Sequence, residues 1–377
     1  MHELLNTISS IRTRVAICPG PDMQIRFLIA LSLLSPSLLW ADPPAYPPPA
    51  EVRAAFLKQL DRAKVPLDVK AIENRLDPDG LLTEKLTFAS EKKVDGTIER
   101  VPVLIVRPGA GGGKRPAVIV LHGTGGNKEG MRSWLTQFAK LGMVGVAIDA
   151  RYHGDRSGGA KGAAAYNQAI VRAWRAKGGE PQEHPFYFDT VWDLWRTVDF
   201  LETQPEIDAK KIGMIGFSMG GIETWLAASV DQRVAVAVPA IGVQSFRWSL
   251  EHDRWQGRAN TIKAAHVAAA EDLGEPKVNQ RVCRELWNKV IPGMLDQFDC
   301  PSMLRLFAGR PLLILNGEKD PNCPLEGAQL AFKEAEKAFA AANCAEKLKI
   351  MVAQGVGHSV TKEQAAEAIK WFEKWLK

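Results

Sequence analysis

Gly216-Phe217-Ser218-Met219-Gly220-Gly221 sets one hydroxyl among glycines where the apolar stretch Ile212-Gly213-Met214-Ile215 gives way to the helix-forming run Ile222-Glu223-Thr224-Trp225-Leu226-Ala227-Ala228. A serine in so sharp a strand-to-helix turn takes strained backbone angles, and glycines on either side let strand and helix approach with no Cβ between them. Its Oγ then projects past the end of a sheet, and the Met219 N–H points into the same space. The G-x-S-x-G spacing by itself also occurs in ordinary Gly/Ser loops; the strand before it and the helix after it give it meaning. Ser218 is therefore the candidate nucleophile. A base, an acid and a second oxyanion donor are expected at the C-terminal ends of other strands.

From Pro116 onward apolar stretches alternate with amphipathic ones, the pattern of a parallel sheet covered on both faces. Ala117-Val118-Ile119-Val120-Leu121 reads as a buried strand and runs into His122-Gly123-Thr124-Gly125-Gly126-Asn127. This glycine-rich loop lacks the G-K-[ST] ending of a phosphate loop, so its free N–H groups are assigned to an oxyanion, with Thr124 as second donor beside Met219 and Gly123 as the neighbouring option. The strand Val144-Gly145-Val146-Ala147-Ile148 leads into Asp149-Ala150-Arg151-Tyr152-His153-Gly154-Asp155-Arg156, where His153, ahead of the nucleophile in a charged turn, is expected to brace the site. Further upstream, Leu81 to Ser90 and Arg100 to Pro108, separated by Asp95-Gly96, read as an antiparallel pair at one sheet edge.

The motifs His122-Gly123, 149–156, Ile207-Asp208 and 216–221 together resemble an α/β-hydrolase of the dienelactone hydrolase, acetyl xylan esterase and prolyl-oligopeptidase-domain branch, over roughly Leu81 to Lys377. The resemblance implies a serine hydrolase with a mostly parallel central sheet flanked by helices. The strand Val234 to Val238 and the next, Pro311 to Leu315, lie about seventy residues apart, too far for a simple connection, so a helical cap is expected at about 243–310. Its Phe246, Trp248, Trp255 and Trp287 either line a substrate pocket or form the cap's own core. After Asn316 comes Gly317-Glu318-Lys319-Asp320, and Asp320 fits the family's G-x-x-D placement of the acid, leaving Glu318 as a loop-bracing carboxylate. His358 is the only histidine that follows this acid. The order Ser218, Asp320, His358 is that of nucleophile, acid and base in this fold.

Composition sets the remaining bounds. With 377 residues, 46% hydrophobic and 24% charged, the chain is globular, and its net charge of +5 is spread without a basic block, which gives no support to nucleic-acid binding. Met23-Gln24-Ile25-Arg26, the apolar run 27–39 and Ala41 before Asp42-Pro43-Pro44 read as a signal peptide at 23–41, with translation starting at Met23 and residues 1–22 a mis-assigned upstream start. The product is thus expected to be secreted or periplasmic, without stable membrane insertion once the signal is cleaved. Residues 42–50, with five prolines, read as an extended tether ahead of the hydrolase domain at 51–377. The mature chain holds Cys283, Cys300, Cys323 and Cys344, which either pair in that order or remain buried thiols. No cysteine–histidine spacing resembles a zinc site, and no metal or other cofactor is expected. The functional expectation is a serine esterase acting on a small-molecule ester. A prolyl-oligopeptidase-type exopeptidase and a non-catalytic binding domain are the alternatives. The stretch before Leu81 is too short for the propeller that peptidases of this branch add.

Overall fold

Along 117–121 every residue is buried, and successive side chains leave for opposite faces: Ala117, Ile119 and Leu121 join one apolar cluster, Val118 and Val120 another. This two-sided burial organises the fold in the computed structural model, which describes residues 46–178 and 183–377. The expected upstream start, the signal peptide and the first residues of the proline tether lie outside the described residues.

Nine strands form a single sheet: β1 (Lys70–Leu76), β2 (Leu81–Lys92), β3 (Ile98–Pro108), β4 (Arg115–Leu121), β5 (Val144–Ile148), β6 (Ile207–Phe217), β7 (Val234–Ala240), β8 (Leu312–Gly317) and β9 (Leu348–Ala353). Their order is β1-β2-β3-β5-β4-β6-β7-β8-β9. The first three pair antiparallel, β3 meets β5 antiparallel, and the rest are parallel. This is the α/β-hydrolase architecture. β2 and β3 form the expected hairpin, but they are not the sheet edge. β1 is, and its sequence KAIENRL is almost wholly exposed, so it carries no buried face whose apolar alternation could announce a strand.

One face is covered by α1 (Pro49–Gln59), and the other by α2 (Arg132–Lys140). The first face also takes α3 (Ala164–Arg175), α4 (Phe188–Glu202) and α5 (Met219–Val230). α1 starts at Pro49, so the last two residues of the 42–50 stretch already belong to a helix, in the first-turn position that proline suits. Between β7 and β8 the chain makes α6 (Phe246–Glu251), α7 (Gln256–Thr261), α8 (Lys263–Asp272), α9 (Gln280–Val290) and α10 (Cys300–Leu304). Phe246, Leu286 and Trp287 of this insertion are buried in the same cluster as α1 and α5, so its core is continuous with the helical layer. Trp287 donates to His266 Nε2 at 3.0 Å and meets Phe246 edge-on, which assigns both aromatics to packing. α11 (Leu325–Ala341) follows β8, and α12 (Lys362–Leu376) closes the second face with Ala368, Phe372 and Leu376.

The four cysteines of the described residues are all free and buried, which overturns the pairings Cys283–Cys300 and Cys323–Cys344. Order in sequence does not bring these sulfurs together. Cys323 donates to the Ile241 carbonyl, and Cys344 to that of Phe339 in the preceding helix. Burial pushes the Cys283 and Cys323 thiols up to about 12, so both stay protonated and inert.

Candidate active site

The turn after β6 has the backbone that its glycines predict. Ser218 takes φ 57° and ψ −111°, a left-handed conformation costing about 1–3 kcal/mol. A Cβ on Gly216 would lie 2.1 Å from the Gly220 carbonyl oxygen, and one on Gly220 would lie 2.7 Å from that of His122. Only glycine lets β6, α5 and the loop after β4 meet here. Gly242, after β7, does the same for α5: a Cβ there would sit 2.7 Å from the Ile222 nitrogen.

Ser218, Asp320 and His358 come from the loops after β6, β8 and β9. His358 Nε2 lies 2.7 Å from Ser218 Oγ, and His358 Nδ1 lies 2.7 Å from Asp320 Oδ2. A carboxylate only accepts, so Nδ1–H donates to Asp320 and Nε2 is left to accept from the Ser218 hydroxyl. The other oxygen of Asp320 accepts the Asn322 and Cys323 N–H groups at 2.8 and 3.0 Å. The Asp320 side chain is inaccessible to solvent, while the His358 side chain keeps 22% exposure. Glu318, two residues earlier, instead accepts the Gly355 N–H at 2.6 Å and ties the acid loop to the loop bearing His358.

Gly123 passes directly over the nucleophile, its notional Cβ 3.5 Å from Ser218 Cβ. Its carbonyl accepts from His122 Nδ1–H at 2.8 Å and from Gly126 N–H at 3.0 Å. A planar trans peptide points its N–H opposite to its C=O, so anchoring the Gly123 carbonyl fixes where Thr124 N–H is aimed. Ala150 N–H donates to His122 Nε2 at 3.2 Å, which fixes the tautomer. Burial pulls the His122 pKa down and keeps the ring neutral. Met219 opens α5, and the first N–H groups of a helix have no partner within it. This positioning role for His122 was not read from the sequence, where the residue served only as part of a motif.

The same loop is clamped from below. Lys128, 4% exposed, sets Nζ 2.9 Å from Asp149 Oδ2, and its N–H donates to Asp149 Oδ1 at 2.7 Å. The turn wraps Asp149 so closely that a Cβ on Gly154 (φ 52°) would meet its carboxylate at 2.3 Å. Arg151 and Arg156 converge on Asp193 of α4 at 2.7 and 2.8 Å. Burial opposes the ionisation of Asp193, but the two guanidiniums hold its carboxyl below the usual range. His153 is fully buried, with its ring 5.2 Å from that of His122 and 4.6 Å from that of Tyr166. It is packed beneath the loop, and its Nδ1–H donates to the Arg151 carbonyl at 2.8 Å.

Among the described residues, Asp320, Cys323 and His358 set ligand-type atoms within 4.8 Å of one another. His358 Nδ1 and Asp320 Oδ2 already face each other, and the Cys323 thiol is held protonated, so this donor set suits a proton relay better than a metal ion.

A model of the dienelactone hydrolase family matches residues 101–292, a span that includes Thr124, Ser218 and Met219 but ends before Asp320 and His358. YtaP of Bacillus subtilis (strain 168), a hydrolase by name, is 25% identical over 291 residues, covering 74% of this chain and 84% of its own. Acetyl xylan esterase 1 from Thermoanaerobacterium sp. JW/SL YS485 superposes with a TM-score of 0.61 at 19% identity, over 87% of this chain and 94% of its own. A glucuronoyl esterase from Solibacter usitatus does so with a TM-score of 0.59 at 16% identity, over 87% and 92%. Similarity at these identities is similarity of fold.

Proposed function

The chain belongs to the dienelactone hydrolase family, and from that membership we propose that it is an exported serine esterase cleaving small, polar carboxylic esters through an acyl-enzyme. The observation that carries the reading is the pair of 2.7 Å contacts from Ser218 Oγ through the His358 ring to Asp320 Oδ2. In this reading neutral His358 takes the Ser218 proton as Oγ attacks the acyl carbon, and returns it to the departing alkoxide. Asp320 keeps the ring in the tautomer that can accept and stabilises the imidazolium. Thr124 and Met219 N–H groups receive the charge that develops on the carbonyl oxygen. Water then repeats the steps on the acyl-enzyme.

The polar ester is favoured by the insertion, which exposes charged residues such as Glu251, Asp253, Arg254 and Lys263 and whose Phe246 and Trp287 are taken up in packing. It is favoured too by the esters of carbohydrates named for the structures of like fold. Among the described residues no helix is long and apolar enough to cross a membrane. The purified mature protein, assayed against three substrate series, tests the proposal. Short-acyl aryl esters should be turned over, long-acyl esters should react far more slowly, and aminoacyl or peptidyl anilides should release negligible product. Anilide turnover comparable with ester turnover would instead make the protein a peptidase.

A further inference from the structure

The insertion between β7 and β8 carries a buried arginine that reaches the acid loop. Arg258, in α7, is 1% exposed, and its Nη2 donates to the Asn322 carbonyl at 3.2 Å and to Cys323 Sγ at 3.3 Å. Gln244, also buried, has its amide turned so that it donates to the same Asn322 carbonyl at 2.7 Å and accepts from Arg258 Nε at 2.9 Å. Phe246 lies 5.7 Å from the guanidinium, and the Tyr187 hydroxyl and Asp320 are its electrostatic neighbours. Backbone contact is as close. A Cβ on Gly257 would fall 1.9 Å from the Pro321 carbonyl oxygen, so α7 can seat against this loop only with glycine there.

The carbonyl that Arg258 and Gln244 hold belongs to the 322–323 peptide, whose N–H is one of the two donors to Asp320 Oδ1. Fixing the C=O of a planar trans peptide fixes the opposite direction of its N–H, and donors to the oxygen polarise the N–H further. Taking a guanidinium out of water is costly, and a hydrophobic residue of similar volume would pack this spot without that cost. We infer that Arg258, assisted by Gln244, is a positioning residue for the catalytic acid: it sets the 322–323 peptide, and through it the carboxylate that orients His358. The insertion is then a working part of the triad's support as well as a cover. This inference rests on the Ser218, Asp320, His358 reading.

A double-mutant cycle in kcat and KM for a short-acyl aryl ester tests it, using wild type, Arg258→Met, Asp320→Asn and the pair. Arg258→Met should lower kcat on the order of tenfold to a hundredfold, as expected for a small misplacement of a catalytic group. KM should stay within about twofold, because the arginine does not touch substrate. In the Asp320→Asn background the same change should cost less than about twofold more, since the residue through which Arg258 acts is already disabled. Equal losses in both backgrounds, or a loss confined to KM, would overturn the inference. Should Arg258→Met fail to fold, Gln244→Leu replaces it in the cycle with the same expectations. Ser218→Ala is run alongside: turnover surviving there overturns the triad reading itself, whereas an inactive Ser218→Ala with an additive cycle overturns only the role of Arg258.

Discussion

Asp320 and Glu318 stand two residues apart in one loop, and their oxygens accept from different groups: a histidine ring and two backbone N–H groups for the first, the Gly355 N–H for the second. Their substitutions should therefore separate. Asp320→Asn presents an N–H to His358 Nδ1, favours the wrong tautomer and should cost about four powers of ten in kcat. Glu318→Gln retains an acceptor for Gly355 and should cost less than about threefold on the same scale. Steady-state kinetics with one aryl ester checks both, and the reverse ranking would reassign the acid. At this scale the sequence was informative where a residue lies in the loop just past a strand's C-terminal end, as Ser218, Asp320 and His358 do. It was silent on Arg258 and Gln244, because in a short polar helix such as α7 (QGRANT) a buried arginine looks in sequence like any solvent-facing one.

The loop after β4 acts as a unit. Its Gly123 carbonyl is tied to His122 and Gly126, and its far end to Asp149 through Lys128. His122→Leu keeps the bulk of the ring and removes one of the two ties, leaving only the Gly126 N–H, so Thr124 N–H should be held less firmly in its aim. The expected result is a fall in kcat of about tenfold, smaller than the 10²–10³ seen when an oxyanion donor is deleted outright. The affinity of an aryl boronate, which places a negative oxygen at the same spot, should fall in parallel. A fall in kcat with boronate affinity unchanged would contradict this. α12 links the other two loops. Its Thr361–Gln364 capping box follows His358 by a few residues, and buried Gln364 donates to Asn316 at the end of β8 and to Met351 of β9 at 3.0 and 3.1 Å. The helix is legible in the sequence from the 3.6-residue spacing of Ala365, Ala368, Ile369, Phe372 and Leu376. The edge strand β1 was not, since an exposed strand needs no alternating pattern, and the mutual spacing of cysteines carried no information about distance in space.

For the whole molecule, burial of neutral histidines links stability to pH. Burial, with His122 as neighbour, pulls the His153 pKa down to about 3, and burial pulls His266 down to about 4. Both lie below the unfolded value of about 6.5, so the unfolded chain takes up protons first as pH falls. Their stability contribution is complete above about pH 6.5 and is lost progressively toward pH 3 to 4. His153→Asn removes one of these titrations and still offers an N–H to the Arg151 carbonyl. Its destabilisation relative to wild type, read from denaturant unfolding, should shrink by about 2 kcal/mol between pH 7.5 and pH 5. An equal difference at the two pH values would show that His153 is not held neutral. The sheet and the order of its functional loops were readable from the alternation of strands and helices. The continuity of the insertion with the main core was not, because it depends on which distant residues Phe246 and Trp287 meet. The account as a whole stands on Ser218 as the nucleophile, and mass spectrometry of the mature protein after treatment with a fluorophosphonate tests that most directly. The expected result is one adduct, mapped to Ser218, absent in Ser218→Ala and formed much more slowly in His358→Ala, with ester turnover lost in step. An adduct on another residue, or a Ser218→Ala protein that still hydrolyses the ester, would contradict it.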